Sequence, residues 1–276
     1  MQQVLKTMLE NVRAKTPLVH NITNYVTVND VANDLLAAGG SPIMSDDADD
    51  VEDITSICGG LNINIGTLNK NTIPSMFLAG KKANALGHIV LLDPVGAGAS
   101  RLRTDTANRL MQEVRFDAVR GNISEIKTLC TGSGSTKGVD ADAVDAVTEA
   151  NLDDGVQLVK TFAQRAGCIV TVTGAIDLVS DGERCWCIRN GRAEMSRITG
   201  TGCQLSALMT AFLVANPDHK LAAAAAAVCM MGLAGEIGWA NMQPGDGNST
   251  YRNRIIDAIF NMTGDALEKG AKYELR

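Results

Sequence analysis

The stretch Thr199-Gly200-Thr201-Gly202-Cys203, followed by an apolar run over 204–214 that stops short of Pro217, has the residue types to handle an anion. Two close glycines allow a tight turn lined by backbone, and the apolar run has the length of a helix that ends before proline. The turn therefore lies at a helix N-terminus, where the first N–H groups lack partners and the dipole is positive. Gly200, Thr201 and Gly202 would form an anion hole for charge that builds up as a phosphoryl group moves. At that position Cys203 is expected to have a lowered thiol pKa and to act as base or nucleophile. A glycine-rich turn beside a buried cysteine accounts for the same residues equally well, because short glycine motifs recur by chance.

Other candidates fall at the ends of apolar segments. Asp93 ends His88-Ile89-Val90-Leu91-Leu92, a run apolar enough to be buried on both faces. A charge there needs a partner. Mg²⁺ would supply one, as would a helix N-terminus, although Asp-Pro is also an ordinary turn. In Asn122-Ile123-Ser124-Glu125 the Asn and Glu stand at capping-box spacing, which is a sufficient structural role. The functional alternative is that Glu125 orders water around Mg²⁺. Arg120 could grip a phosphate bidentately or be a surface arginine. Thr173-Gly174 could touch nucleotide phosphates or simply end a strand. Met44, Val26 and Cys203 could line a pocket for a small ring, or pack in the core as methionines usually do.

These residues must be positioned by a core, and the composition supplies one. The chain has 276 residues, 45% of them hydrophobic, enough for one large α/β domain or two small ones. The formal net charge of −6 and the lack of a basic stripe argue against nucleic acid as a partner. Seven cysteines with no C-x-x-C spacing suggest neither a disulfide framework nor a zinc site, and reduced thiols fit the cytoplasm. The N-terminus has no apolar signal core. The most apolar segment, Leu221 to Ala234, is shorter than the roughly 20 residues of a membrane span and reads as a buried helix.

Strand and helix patterns alternate along the chain. Helices are expected over Met1–Lys15, Asn29–Ala38, about Thr72–Leu86, about Thr104–Val114, from Ser124, and about Asp154–Ala166. Val19 to Val26 reads as an extended or turning segment, and the acidic run Asp46 to Asp53 as a solvated helix start. Strands are expected at 41–44, 61–66, 88–92, 118–120 and 168–172. Asp181-Gly182 marks a hairpin between 177–180 and 184–189, in which Cys185 and Cys187 share a face as packing residues. Three closing helices are expected: Cys203–Ala215, Leu221–Trp239 and about Tyr251–Glu268. The stretch Thr131–Asp154 reads as exposed surface, a mobile flap. This alternation implies a mainly parallel sheet with helices on both faces, and ligands outside the carboxyl ends of its strands.

Taken in order, 19–24, 40–44, 64–68, 92–96, 120–126, 173–174 and 199–203 resemble the signature of the hydroxyethylthiazole kinase family, over about Pro17 to Ala258. The resemblance implies one ribokinase-like α/β/α domain spanning 1–276 and ATP-dependent phosphorylation of 4-methyl-5-(2-hydroxyethyl)thiazole in thiamine salvage. It also implies Mg²⁺ and a homotrimer with thiazole sites between subunits. By position, Met44 and Gly200 resemble thiazole-binding residues, with Asn24, Val26 and Gly66 as neighbours. Arg120 and Thr173 resemble ATP-binding residues, and Asp93 and Glu125 resemble those that arrange Mg²⁺.

The sequence departs from the resemblance at two places. Enzymes of this superfamily generally carry Asp as the base after the glycine-rich turn; here Cys203 stands there. Near the C-terminus a Gly-Pro-Gly-Ser-Phe pattern is replaced by Gly245-Asp246-Gly247-Asn248-Ser249-Thr250-Tyr251 on the adenine side. The competing readings are an ATP- or ADP-dependent hydrate dehydratase on the same fold, a non-catalytic thiazole- or nucleotide-binding protein, and a kinase for another small alcohol such as a pyrimidine or pyridoxal. The dehydratase would want aspartate at 203 and leaves Asn24 and Met44 without a role.

Overall fold

The computed structural model describes residues 3–131 and 146–276. Among the described residues nine strands are found: β1 (Leu18–Ile22), β2 (Ser41–Met44), β3 (Gly60–Asn64), β4 (Ile89–Asp93), β5 (Ala118–Asn122), β6 (Ile169–Thr173), β7 (Asp177–Ser180), β8 (Cys185–Ile188) and β9 (Tyr273–Leu275). They form one sheet in the order β2-β1-β3-β4-β5-β6-β7-β8-β9. Pairing is parallel from β2 through β6 and antiparallel from β6 to β9. This is the expected α/β architecture.

The helices are α1 (Val4–Lys15), α2 (Val28–Ala38), α3 (Val51–Ile57), α4 (Thr72–Leu86), α5 (Arg101–Glu113), α6 (Ile123–Thr131), α7 (Leu152–Ala166), α8 (Thr201–Ala215), α9 (Lys220–Ala240), α10 (Asn248–Asn261) and α11 (Gly264–Gly270). One face of the sheet is covered by α1, α2 and α8–α11, the other by α3–α7. The two-residue period of a strand sorts the core between them. Ile89 and Leu91 of β4 pack with Phe212 and Met230, while Val90 and Leu92 pack with Phe77 and Leu110. Cys185 and Cys187 both point into the second of these cores, as packing residues.

The chain leaves β1 on one side to make β2 and returns on the other to make β3, so the order reverses at β1. The helix after β1 (α2) and the helix after β2 (α3) lie on opposite faces. A crevice opens outside the carboxyl ends of strands at such a reversal. Asn24 follows β1, and Asn64 and Asp93 end β3 and β4 in register with each other.

Several boundaries differ from expectation for local reasons. The segment read as extended or turning is a strand over Leu18–Ile22, buried between α8 and α3. α5 starts at Arg101 because Ser100 caps it, its Oγ accepting the Arg103 N–H at 3.3 Å. α7 starts at Leu152, behind a 3₁₀ turn over Glu149–Asn151; the rest of the stretch read as exposed surface, 132–145, lies outside the described residues. The closing helix expected over Tyr251–Glu268 is two, because Thr263 caps α11 by accepting the Ala266 N–H at 3.1 Å. β9 was not expected: three residues are too few to show a period.

The apolar helix is also longer than its sequence core suggests. Pro217–Ala240 spans 24 residues, long and apolar enough to cross a membrane, but 83% of its most apolar stretch is buried inside the protein. Ala223 to Ala227 are fully buried, and Gly232 lies so close to Asn190 that a Cβ would sit 2.7 Å from its carbonyl carbon. α9 is thus a core helix.

Candidate active site

Asp93 ends β4 fully buried. Its Oδ2 accepts hydrogen bonds from Asn64 Nδ2 and Ser206 Oγ, both at 2.8 Å, and lies 3.7 Å from Arg120 Nη1. Its Oδ1 has no partner. Burial pushes the carboxyl above the usual carboxylate range, with Arg120, Ser206 and Asn64 pulling the other way. A buried acceptor left open in a well-packed protein needs an explanation, and a cation or a ligand's hydrogen-bond donor would provide one.

Arg120, placed by β5, is not a surface arginine but is largely buried. Its Nη2 donates to Thr173 Oγ1 at 2.5 Å, so the two residues expected to meet ATP touch each other. The guanidinium lies over Gly202: a Cβ built there would sit 2.6 Å from Nη2 and 2.8 Å from Cζ. Any larger residue at 202 would displace the guanidinium from this position. Arg120 Nε is buried without a partner. An open donor and the open Asp93 Oδ1 therefore sit in one corner, with the start of α8 beneath them.

At the start of α8, Gly200 adopts φ 85°, a left-handed conformation that favours glycine. A Cβ there would also sit 2.9 Å from Thr27 Cβ. The Gln204 N–H makes the first helical bond, to Gly200 O at 2.9 Å. No side chain caps the helix, which leaves the amides of Thr201, Gly202 and Cys203 to face a ligand. The helix begins two residues earlier than expected, so Cys203 lies in its first turn.

Cys203 does not have the lowered thiol pKa expected from that position. Burial and the Asp93 carboxylate push it up, against Arg120, Asn64 and Asn24. The helix end is electropositive, but a sulfur shut away from water next to a carboxylate is held as the thiol. Asn24 Nδ2 donates to Cys203 Sγ at 3.1 Å and to Asn64 Oδ1 at 3.1 Å. Asn64 Oδ1 also accepts the Gly66 N–H at 2.9 Å. A Cβ on Gly66 would sit 2.9 Å from that oxygen, so Gly66 lets its loop close on the two asparagines. Thr27 Oγ1 donates to Asn24 Oδ1 at 3.0 Å. Cys203, Asn24, Asn64, Asp93, Arg120 and Thr173 are thus joined by successive polar contacts.

Glu125 sits at the start of α6 as the reciprocal capping box read from its spacing. Its Oε2 accepts the Asn122 N–H, and Asn122 Oδ1 accepts the Glu125 N–H, both at 2.8 Å. Its Oε1 takes the Gly96 N–H at 2.7 Å. Burial, then the charge of Asp93, pushes the carboxyl up to about 7. Met44 packs against a small cluster that includes Cys203, Val31 and Leu35. Val26 is not covered within this chain: it is 56% exposed and its neighbour Tyr25 is 77% exposed. Gly245 and Gly247, on the stretch assigned to the adenine side, flank an Asp246 that pairs with Arg254 at 3.1 Å.

Three residues of the corner went unselected in the sequence. Ser206 stands three residues after Cys203, one helical turn along, a spacing that could have revealed it. Asn64 falls inside the strand expected at 61–66 and the 64–68 segment of the signature, with no role of its own. Asp177, whose carboxyl burial pushes up to about 7, holds the Gly174 N–H at 2.9 Å and shapes the turn after Thr173; nothing in its local sequence separates it from an ordinary hairpin residue.

The family model described as the hydroxyethylthiazole kinase family matches residues 9–265. A hydroxyethylthiazole kinase of Clostridium acetobutylicum is 56% identical over 271 residues, which cover 98% of this chain and 99% of that protein. Among solved structures, a hydroxyethylthiazole kinase from Pyrococcus horikoshii superposes with a TM-score of 0.88 at 32% identity, covering 100% of both chains. The pyridoxal kinase of Staphylococcus aureus in complex with AMP-PCP and pyridoxal aligns at a TM-score of 0.60 and 13% identity, covering 94% of this chain and 98% of that one. That last likeness shows the fold alone.

Proposed function

Because the chain belongs to the hydroxyethylthiazole kinase family, we propose that it phosphorylates the hydroxyl of 4-methyl-5-(2-hydroxyethyl)thiazole with ATP, and that the corner at the carboxyl ends of β3–β6 is where it does so. The observation that carries this placement is the convergence of Arg120, Asp93 and the uncapped start of α8 at Gly202. A phosphoryl group in transfer carries its charge on its equatorial oxygens and asks for positioning and neutralisation more than for covalent help. Arg120 and the amides of Thr201, Gly202 and Cys203 neutralise that charge from two sides. Thr173, tied to Arg120, meets the ATP phosphates. Asn24, Val26, Met44, Gly66 and Gly200 surround the thiazole. The donor is left as ADP, and the alcohol proton departs late, onto an oxygen of the transferred phosphoryl group.

Mg²⁺ fits the corner. The open Oδ1 of Asp93 is a hard acceptor, and the neighbouring Glu125, pushed up to about 7 by burial and by Asp93, would supply a second negative charge once ionised. Among the described residues no group of three or more His, Cys, Asp or Glu side chains gathers in one place, as suits an ion that keeps waters and substrate phosphates. When bound it would neutralise phosphate charge. The protein's own contribution is to hold Asp93 by Asn64 and Ser206, and Glu125 by the backbone of Gly96 and Asn122.

The exposed Tyr25 and Val26 stand next to Asn24 on the thiazole side. Apolar side chains at the mouth of a site favour a second subunit covering them, which supports a homotrimer with thiazole sites between subunits. The chain acts as one domain in the cytoplasm.

Cys203 works by position rather than as a strong base. A loose transition state leaves the alcohol proton in place until late, so a thiol that holds the oxygen in line is sufficient. We expect Cys203→Ala to lower kcat by about 10–100-fold and Cys203→Asp to remain active, measured against a panel of thiazole, pyrimidine and pyridoxal alcohols. Full kcat in Cys203→Ala would reduce the residue to a pocket wall. Turnover of pyridoxal in preference to the thiazole would overturn the substrate.

A further inference from the structure

Asn64 is the point where the two halves of the corner meet. It is almost fully buried at the end of β3, and the parallel register sets it directly beside Asp93. Its Nδ2 donates to Asp93 Oδ2 at 2.8 Å. Its Oδ1 accepts from Asn24 Nδ2 at 3.1 Å and from the Gly66 N–H at 2.9 Å. Asn24 and Gly66 belong to the thiazole side, Asp93 to the phosphate side. Ser206, the other hydroxyl or amide on Asp93 Oδ2, makes no such link to the loop.

We propose that Asn64 is a positioning residue that ties the thiazole-binding loop to the Asp93 carboxylate, fixing the acceptor alcohol relative to the phosphate site. This rests on the reaction proposed above. The chemistry selects asparagine. The position needs a donor facing a carboxylate and an acceptor facing two N–H groups, and one carboxamide supplies both. Turning the amide over would set its NH₂ against the Gly66 N–H and its oxygen against Asp93 Oδ2. Aspartate would place an acceptor, and a charge, against Asp93; alanine would leave three buried polar groups short of a partner. A misplacement of about 1 Å between reacting groups is enough to cost about a hundredfold in rate, so a tie of this kind acts on kcat without touching substrate.

The test separates the two halves. Affinity for 4-methyl-5-(2-hydroxyethyl)thiazole is measured by calorimetry on the full chain with neither nucleotide nor metal present, and kcat is measured separately in the complete reaction. Asn64→Asp keeps the oxygen that holds Gly66 and Asn24 but loses the donor to Asp93. We expect its thiazole Kd to stay within about twofold and its kcat to fall by about tenfold or more. Asn64→Ala loses both halves, so its Kd weakens about fivefold to tenfold and its kcat falls as well. Ser206→Ala lowers kcat and leaves Kd alone. Equal weakening of thiazole binding in Asn64→Ala and Asn64→Asp, or an unchanged kcat in Asn64→Asp, would overturn the tie. Should Asn64→Ala fail to fold by circular dichroism, Asn64→Asp alone decides: kcat lost with Kd kept supports the tie, and Kd lost with kcat kept overturns it. An unmutated chain that binds no thiazole would instead overturn the proposed substrate.

Discussion

Asp93 and Asp117 are carboxylates at opposite ends of the same central strands. Asp117, just before β5, has a partner for each oxygen: Oδ2 accepts the Val90 N–H at 2.9 Å and Oδ1 accepts Lys220 Nζ at 2.6 Å. Its backbone also bridges the starts of β4 and β6. Asp93, at the carboxyl end of β4, crowds its donors onto Oδ2 and leaves Oδ1 open. The two residues are the same type in the same sheet, and both are largely buried. What separates them is completeness of pairing. A carboxylate with both oxygens met closes a structure, and one held firmly by a single oxygen is pre-set for something that arrives. The carboxylate at the amino end is therefore closed and the one at the carboxyl end is left open.

The largest expected effect comes from Asp93→Asn. The oxygen that accepts from Asn64 and Ser206 is kept, while the open acceptor becomes an amide. We expect kcat/KM to fall by about a hundred- to a thousandfold, with a melting temperature no lower than that of the unmutated chain. A variant that melted much lower while turning over normally would make Asp93 another Asp117.

The reverse is expected of Asp117→Ala. Removing the side chain strands the buried Val90 N–H and frees Lys220, which should cost about 1–3 kcal/mol of stability. Denaturant unfolding reads that loss, and kcat should be unchanged because no group of the corner is touched. A fall in kcat without a fall in stability would erase the contrast between the two ends.

How much of this contrast could be read in advance depended on range. β4 announces itself by four apolar residues in a row, Ile89 to Leu92, and Asp93 follows from where that run stops. The capping box of Asn122 and Glu125 is a three-residue spacing and was legible as such. The break at Thr263 and the strand β9 were not, because one depends on a single cap and the other on a partner strand nearly a hundred residues away. The raised thiol of Cys203 is hidden from the local sequence for a related reason. A helix N-terminus is a local feature that a sequence shows, but the burial and the Asp93 charge that outweigh it arrive from a strand more than a hundred residues earlier. Arg120 was likewise visible as an arginine at a strand end, but its place over Gly202 is a contact between two distant segments.

Asp177 lies between the two cases and gives the smallest, sharpest test. One of its oxygens holds the Gly174 N–H, and burial pushes its carboxyl up to about 7, with that bond and Arg120 opposing. In the unfolded chain it titrates near 3.8. The folded state therefore binds the proton more tightly, and the stability this contributes is complete below about pH 4 and is lost as pH rises through about 7. Glu125, also near 7, acts with the same sign in the same window. The chain should accordingly melt lower at pH 8 than at pH 5.5. Asp177→Asn keeps an oxygen for Gly174 and removes the charge. We expect it to melt about 2–4 °C above the unmutated chain at pH 8, a shift that corresponds to roughly 1 kcal/mol in a domain of this size, and to match it near pH 5, where the native carboxyl is already neutral. A gain of equal size at both pH values would mean that packing, not ionisation, sets the difference. Asp177 would then join Asp117 as a structural carboxylate rather than stand beside Asp93.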